Sequence, residues 1–262
     1  MKPSNTLKYW GTMPNARLLF PIMVASLALA CRPSRTPPRE PPAAAAPAPD
    51  TSVNTEPQPP GPDAAADSLL VDVQSVDSTI RVDARYAGSH NFTGARLPGY
   101  DAPRAWLRRE PAAALGRVQA RLRSEGLGLL VFDGYRPVRA TLAMVDWANR
   151  TGRADLLNDG YIARRSRHNQ GVAVDLTLVD RASGAELDMG TPFDTFSEAA
   201  HTANAAGQVQ RYRQILVHAM QAEGFANYEK EWWHFTYSVP GAVPFDKVIQ
   251  NNKFLDTREA KE

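Results

Sequence analysis

From Ser68 onward, apolar and polar residues follow each other with a period that changes along the chain. "SLLVDVQSVDSTIRVDARYA" alternates between the two and predicts a strand or a strand pair. "HNFTGARLPGYDAPRA" has the character of a loop. In "EPAAALGRVQARLRSEG", Leu115, Val118 and Leu122 recur at helical spacing. Pro111 stands near the start and Gly126 at the end, so the stretch predicts a helix. "LGLLVFDGY" reads as a buried strand that breaks at Gly134, and "PVRATLAMVDWANR", opening on Pro137, as a second helix. "GVAVDLTLVD" is rich in β-branched residues and predicts a strand closed by the turn "RASG". "QVQRYRQILVHAMQAEG" predicts a third helix stopped by Gly224, and the aromatic "YEKEWWHFTYS" a last strand. No internal repeat is visible. The mixture of helices and hairpin-like strand pairs predicts a single α+β domain over 68–262, with a mainly antiparallel sheet flanked by helices.

The 67 residues before it are of another kind. Lys2, Lys8 and Arg17 precede an apolar run from Leu18 to Ala30, which is too short to span a bilayer comfortably. That order fits residues 1–31 as an export signal. Cys31 follows "LALA" directly, and this resembles the lipobox of bacterial lipoproteins, in which the cysteine becomes a lipidated N-terminus held at a membrane surface. Residues 32–67 are dominated by proline and alanine and cannot bury enough apolar surface to offset chain entropy. They are expected to form a disordered tether. Cys31 is the only cysteine, so no internal disulfide is available and the fold rests on its core or on a metal. A net charge of +2, with arginines scattered rather than clustered among aromatics, gives no support to nucleic acid binding.

The chain has five histidines: His90, His168, His201, His218 and His234. His218 falls inside the third predicted helix, and His90 and His201 in loops without acidic neighbours of a metal-binding kind. His168 lies seven positions before Asp175, an acid placed between Val174 and Leu176 in a predicted strand. A buried carboxylate needs a partner or a metal. Hydrolytic zinc sites take three donors from His, Asp and Glu and leave one position open, and His168, Asp175 and His234 would supply such a set. Glu231 would then be the carboxylate outside the set that handles the proton, and Arg136 in "FDGYRP" the cation that stabilises a developing oxyanion. Taken singly, each residue also has a plain reading: a surface histidine, a satisfied core acid, a helix-start arginine. In a regular strand, Glu231 and His234 would point to opposite faces. The site therefore requires a bulge near Trp232–Trp233, or Glu231 lying just before regular pairing begins.

Together, "SRHNQGVAVDLTL", "FDGYRPVRA", "LDMGTPFD" and "EWWHF" resemble the zinc D-alanyl-D-alanine dipeptidases, the VanX-type enzymes, within a wider group of zinc D,D-peptidases of hedgehog-like α+β fold. The resemblance spans about Leu70 to Phe245. It implies one Zn2+ per chain held by His168, Asp175 and His234, with Glu231 as general base and acid and Arg136 stabilising the intermediate. It further implies that Asp194, in "TPFD", holds the free amino group of a dipeptide, and that Ser166 helps bind substrate. Arg167 departs from the family pattern, which often has a small residue there.

The resemblance implies as partner a small D,D-dipeptide, while the export signal and lipobox-like cysteine give the expected contact with a membrane only through the N-terminal lipid and a periplasm-facing location in the cell envelope. Two further readings stay open: a D,D-carboxypeptidase trimming longer peptidoglycan peptides, and a non-catalytic, zinc-stabilised wall-binding lipoprotein. Asp194 separates the first from the dipeptidase, because a grip on a free amino terminus rejects long acyl chains. Glu231 speaks against the second, because a structural metal site has no need of a base.

Overall fold

In the computed structural model, residues 59–251 are described. The segments expected to be an export signal with Cys31 and, up to residue 58, a tether fall outside the described residues, as do the residues from 252 onward. In chain order the elements are α1 (Asp63–Leu69), β1 (Leu70–Asp72), α2 (Val73–Val76), β2 (Arg81–Val82), β3 (Trp106–Arg108) and α3 (Arg109–Arg123). There follow β4 (Leu127–Asp133), α4 (Val138–Arg150), α5 (Asp155–Asn158), β5 (Ala173–Asp180), α6 (Gly207–Gln221), β6 (Phe225–Asn227) and β7 (His234–Tyr237).

Five strands form one sheet in the order β2-β4-β5-β7-β6. Only the β2–β4 pair is parallel; β4–β5, β5–β7 and β6–β7 are antiparallel. The architecture is thus the α+β one expected, with a mainly antiparallel sheet. The helix predicted around Leu115, Val118 and Leu122 is α3, and all three side chains are fully buried. With Leu216 and Met220 of α6 they pack against Leu129, Val131, Leu176 and Phe235 of the sheet, burial that stabilises the fold by about 1.5–3 kcal/mol per large side chain. A second apolar cluster joins Met144 and Val145 of α4 to Tyr86, Tyr100, Trp106 and Phe245. The two clusters leave the end of the sheet where β4, β5 and β7 run side by side as the place where polar side chains gather.

The domain begins earlier than the boundary expected at Ser68. Pro62 stands at the N-cap of α1, Asp63 in its first turn, and the alanines of "DAAADSL" favour helix. Ala66 is buried with Phe245 and Tyr86, and Gly61 bridges to Phe245 in parallel. Residues 61–67 therefore belong to the fold and not to the tether, because the apolar surface around Phe245 gives them something to cover. "SLLVDVQSVDSTIRVDARYA" does hold two short strands, separated by the turn of α2, but they do not pair with each other: β1 pairs with β3 in a separate two-stranded sheet, and β2 pairs with β4. Strands β3 and β6 were not predicted. At three residues each, they are too short for an alternating pattern to register.

Candidate active site

His168 sits in a single 3-10 turn, Arg167–Gln170, immediately before β5. The turn is defined by its caps. The Ser166 hydroxyl accepts from the His168 N–H, and the Asn169 side chain accepts from the Ser166 N–H, a reciprocal capping box. Gly171 closes the turn at φ 68°, and a β-carbon there would lie 2.5 Å from Leu70 Cδ2. The left-handed backbone angle is what calls for glycine, and a β-carbon would in addition displace the Leu70 side chain. From this turn, His168 Nδ1 donates to the Gly134 carbonyl at 2.7 Å, which fixes the tautomer and leaves the Nε2 lone pair facing the site.

The other donors come from the sheet. In the register of β5 on its neighbours, Asp175 lies opposite His234 of β7 on one side and opposite Asp133 of β4 on the other. Asp133 reaches that row through a bulge between Val131 and Asp133. Two carboxylates directly across a strand pair repel, and Arg136 offsets this. Its guanidinium lies 2.8 Å from Asp133 Oδ2 and 3.6 Å from Asp175 Oδ2, packed over the Tyr86 ring. Asp133 also accepts from the Tyr100 hydroxyl at 2.6 Å, and its Oδ2 is 3.4 Å from His168 Nδ1.

His168 Nε2, Asp175 Oδ1 and His234 Nδ1 are separated by 2.9, 3.1 and 3.3 Å. Donors at the corners of a tetrahedron around zinc are about 3.3 Å apart for bonds of about 2 Å. The set therefore fits a zinc-sized ion, and it is the cluster of three such donors found among the described residues. His90, His201 and His218 take no part: His90 lies against Arg85, His201 against the Tyr161 hydroxyl, and His218 in the last turn of α6. Burial would raise the Asp175 pKa, but the two imidazoles outweigh it and hold the carboxyl low.

Glu231 stands just before β7 begins, the second of the two arrangements that the E-x2-H spacing allowed. No bulge at Trp232–Trp233 is needed, because Tyr228 to Trp233 form a turn and not a strand. The Asn227 amide closes that turn by donating to the carbonyls of Glu231 and His234, at 3.0 Å each. Glu231 Oε2 then lies 3.9 Å from His234 Nδ1, beside the donor set without joining it. Burial holds its pKa well above the usual carboxylate range, with the charges of Asp175 and Asp194 adding to the shift. A divalent cation at the donor set would oppose that shift.

Asp194 faces the same cavity, which Tyr86, Phe92, Tyr161, Phe196 and Trp233 wall with aromatic surface. It is the one described non-glycine residue with positive φ, 62°. Its Oδ1 accepts from the Tyr86 hydroxyl at 3.0 Å, while Oδ2 is buried without a hydrogen-bond partner. Such an atom is costly unless a ligand meets it. Burial pushes the Asp194 pKa up to about 7, the neighbouring Asp175 adding to the rise and Tyr86 opposing it. Ser166 and Arg167 also line the cavity.

The structure thus brings His168, Asp175, His234, Glu231, Arg136, Asp194 and Ser166 to one place. Sequence reasoning missed Asp133, Tyr86 and Asn227. Asp133 could have been found as an acid ending a buried apolar strand three residues before Arg136. Tyr86 and Asn227 lie in short elements that carry no such signal.

A family model described as D-ala-D-ala dipeptidase matches residues 66–254. The chain belongs to that family. The D-alanyl-D-alanine dipeptidase of Streptomyces coelicolor is 39% identical over 181 residues, 63% of this chain and 89% of that protein. Those of Enterococcus faecalis and Escherichia coli are 37% and 30% identical, over 60% and 67% of this chain and 85% and 88% of their own lengths. A solved vancomycin-resistance D,D-dipeptidase, in complex with a D-Ala-D-Ala phosphinate analogue, overlaps 66% of this chain and 68% of its own, at 18% identity and a TM-score of 0.35. The family is one of zinc-dependent metallopeptidases that act as dipeptidases, and in this chain His168, Asp175 and His234 form a group that could hold a metal ion.

Proposed function

We propose that the protein hydrolyses D-alanyl-D-alanine to two molecules of D-alanine at the cell envelope, using one zinc ion. The observation that carries the reading is Glu231 lying beside, but outside, a converged His-Asp-His donor set in a cavity that Asp194 also lines. His168, Asp175 and His234 would hold the zinc ion, which when bound would supply Lewis acidity towards water and the scissile carbonyl. Glu231 takes the proton from the attacking water and returns it to the leaving amine, a role its carboxyl can serve because it lies beside the donor set without joining it. Arg136 carries its positive charge beside Asp175 and shares the negative charge that develops on the carbonyl oxygen. Asp194 receives the substrate's ammonium, which supplies the missing partner of Oδ2. Ser166 adds a hydroxyl at the cavity wall beside His168.

The decisive experiment incubates the zinc-loaded protein with D-Ala-D-Ala and with a wall pentapeptide ending in the same pair. Rapid release of D-alanine from the dipeptide alone supports the reading. Equal rates on both would make the protein a D,D-carboxypeptidase, and zinc binding without turnover of either would leave a non-catalytic wall-binding protein.

The Asp194 grip has a pH signature. Its carboxyl is ionised above its raised pKa and neutral below it, so the attraction for an ammonium is lost as pH falls through about 7. The KM for D-Ala-D-Ala should rise on that side. In Asp194→Asn it should be about tenfold higher throughout, the cost of a charge-assisted contact, with the acidic limb gone. A variant with unchanged KM, or unchanged preference over the N-acetylated dipeptide, would refute the assignment.

Export and lipidation at Cys31 belong to the same proposal and rest on the sequence alone. No helix among the described residues is long and apolar enough to cross a membrane. An enzyme on that side of the membrane meets fragments released from the wall, so salvage or remodelling of wall peptides fits better than a role in resistance. Labelled palmitate should appear in the full-length chain and be absent from Cys31→Ser. Equal label in both would exclude the lipid anchor.

A further inference from the structure

We propose that Arg213 is a positioning residue for substrate: it staples the two ends of the loop that carries Asp194, and so sets where the substrate's amino group is held. The proposal rests on the reading of Asp194 given above. Arg213 lies in α6, 2% exposed, although it is a charged side chain. Its guanidinium donates only into backbone. Nε and Nη2 reach the Met189 carbonyl at 2.9 and 2.7 Å, Nη2 reaches Ala199 at 3.1 Å, and Nη1 reaches His201 at 2.7 Å.

Those carbonyls flank Asp194 on both sides in sequence. The intervening chain includes Gly190 at φ 86°, Asp194 at φ 62° and the pocket residue Phe196. A left-handed aspartate with a buried, unpartnered oxygen is a strained arrangement, and strain persists only where the surroundings over-determine it. Arg213 is such a surrounding, because a planar fork that binds both ends at once fixes their separation, which a lysine cannot do. From the other side, the Trp232 indole donates to Thr191 Oγ1 at 2.9 Å, and the Trp232 N–H to the Ala200 carbonyl at 3.1 Å. Trp232 follows Glu231 directly. The loop is thereby registered against the segment that carries the proposed base, and the two ends of the substrate site share one framework.

Arg213→Lys keeps the charge but loses the fork. It should raise the KM for D-Ala-D-Ala about fivefold, with kcat within about twofold and bound zinc unchanged. The preference for the free dipeptide over its N-acetylated form should shrink in parallel. In an Asp194→Asn background the same change should add less than about twofold, since the group it positions is gone. Gly190→Ala disturbs the loop from the Arg213 side, its β-carbon falling 2.7 Å from Val209 Cγ1 and 3.3 Å from Arg213 Nη2, and should give the same pattern.

Amide hydrogen exchange supplies a readout independent of substrate: protection of residues 190–200 should fall in Arg213→Lys while that of β5 holds. Unchanged protection there, or a KM effect that is undiminished in the Asp194→Asn background, would overturn the proposal. If the wild-type protein proved inactive on the dipeptide, the functional reading would fail, while the exchange result would still decide whether Arg213 holds the loop.

Discussion

Glu231→Ala is expected to lower kcat on D-Ala-D-Ala by about a thousandfold, within the range that a positioned general acid–base group supplies. Bound zinc should be unaltered, because Glu231 stands 3.9 Å from His234 Nδ1 and outside the three-donor set. KM should change little, since the ammonium is assigned to Asp194. Glu231→Gln should behave alike, as it keeps the shape and loses only the proton exchange. Replacing a carboxyl that is 7% exposed removes the desolvation cost of a buried acid, so the variant should be at least as thermally stable as the parent. Kinetics with metal analysis on the same samples provides the check. Retained activity would remove Glu231 from the mechanism, and loss of zinc would make it a ligand instead.

The second large effect is expected at a residue without a side chain. A β-carbon on Gly134 would lie 2.6 Å from the Trp106 carbonyl oxygen and 3.4 Å from the Trp106 N and C atoms. These are backbone atoms of a neighbouring strand and have no rotamer by which to escape. Gly134→Ala should therefore destabilise the domain by about 1–3 kcal/mol, as over-packing in a close-packed interior does. It should also displace the carbonyl that accepts from His168 Nδ1. Loss of such an orienting contact weakens metal affinity by about ten- to a hundredfold. Melting curves and competition with a chelator would measure the two effects. Gly88→Ala is the control, since its β-carbon meets nothing within 4 Å and its φ is not positive. Equal stability and equal metal affinity in Gly134→Ala and Gly88→Ala would contradict the argument.

The sequence revealed the long elements because their periods are long enough to read. Leu115, Val118 and Leu122 foretold both a helix and its buried face. The donor set was legible for a different reason: Asp175 among apolar neighbours is an unfavourable placement unless a partner or a metal rewards it. What the sequence hid is register. Nothing local shows that Asp133, Asp175 and His234 form one row across three strands, because that depends on a bulge in β4 and on pairing between distant segments. The same blindness left open how Glu231 could face His234, until Asn227 was found closing the turn between them. It also moved the start of the domain, since the surface that orders residues 61–67 is supplied by Phe245, near the other end of the described chain.

The donor set has a consequence for the order of synthesis. His168 and Asp175 leave the ribosome close together, whereas His234 follows Asp175 by 59 residues and belongs to the strand that pairs directly onto it. A growing or truncated chain that ends before β7 would thus offer only two of the three donors. The third arrives only with the closing of the sheet. The choice of metal therefore falls to the finished fold, whose geometry can discriminate, and to the compartment in which folding is completed.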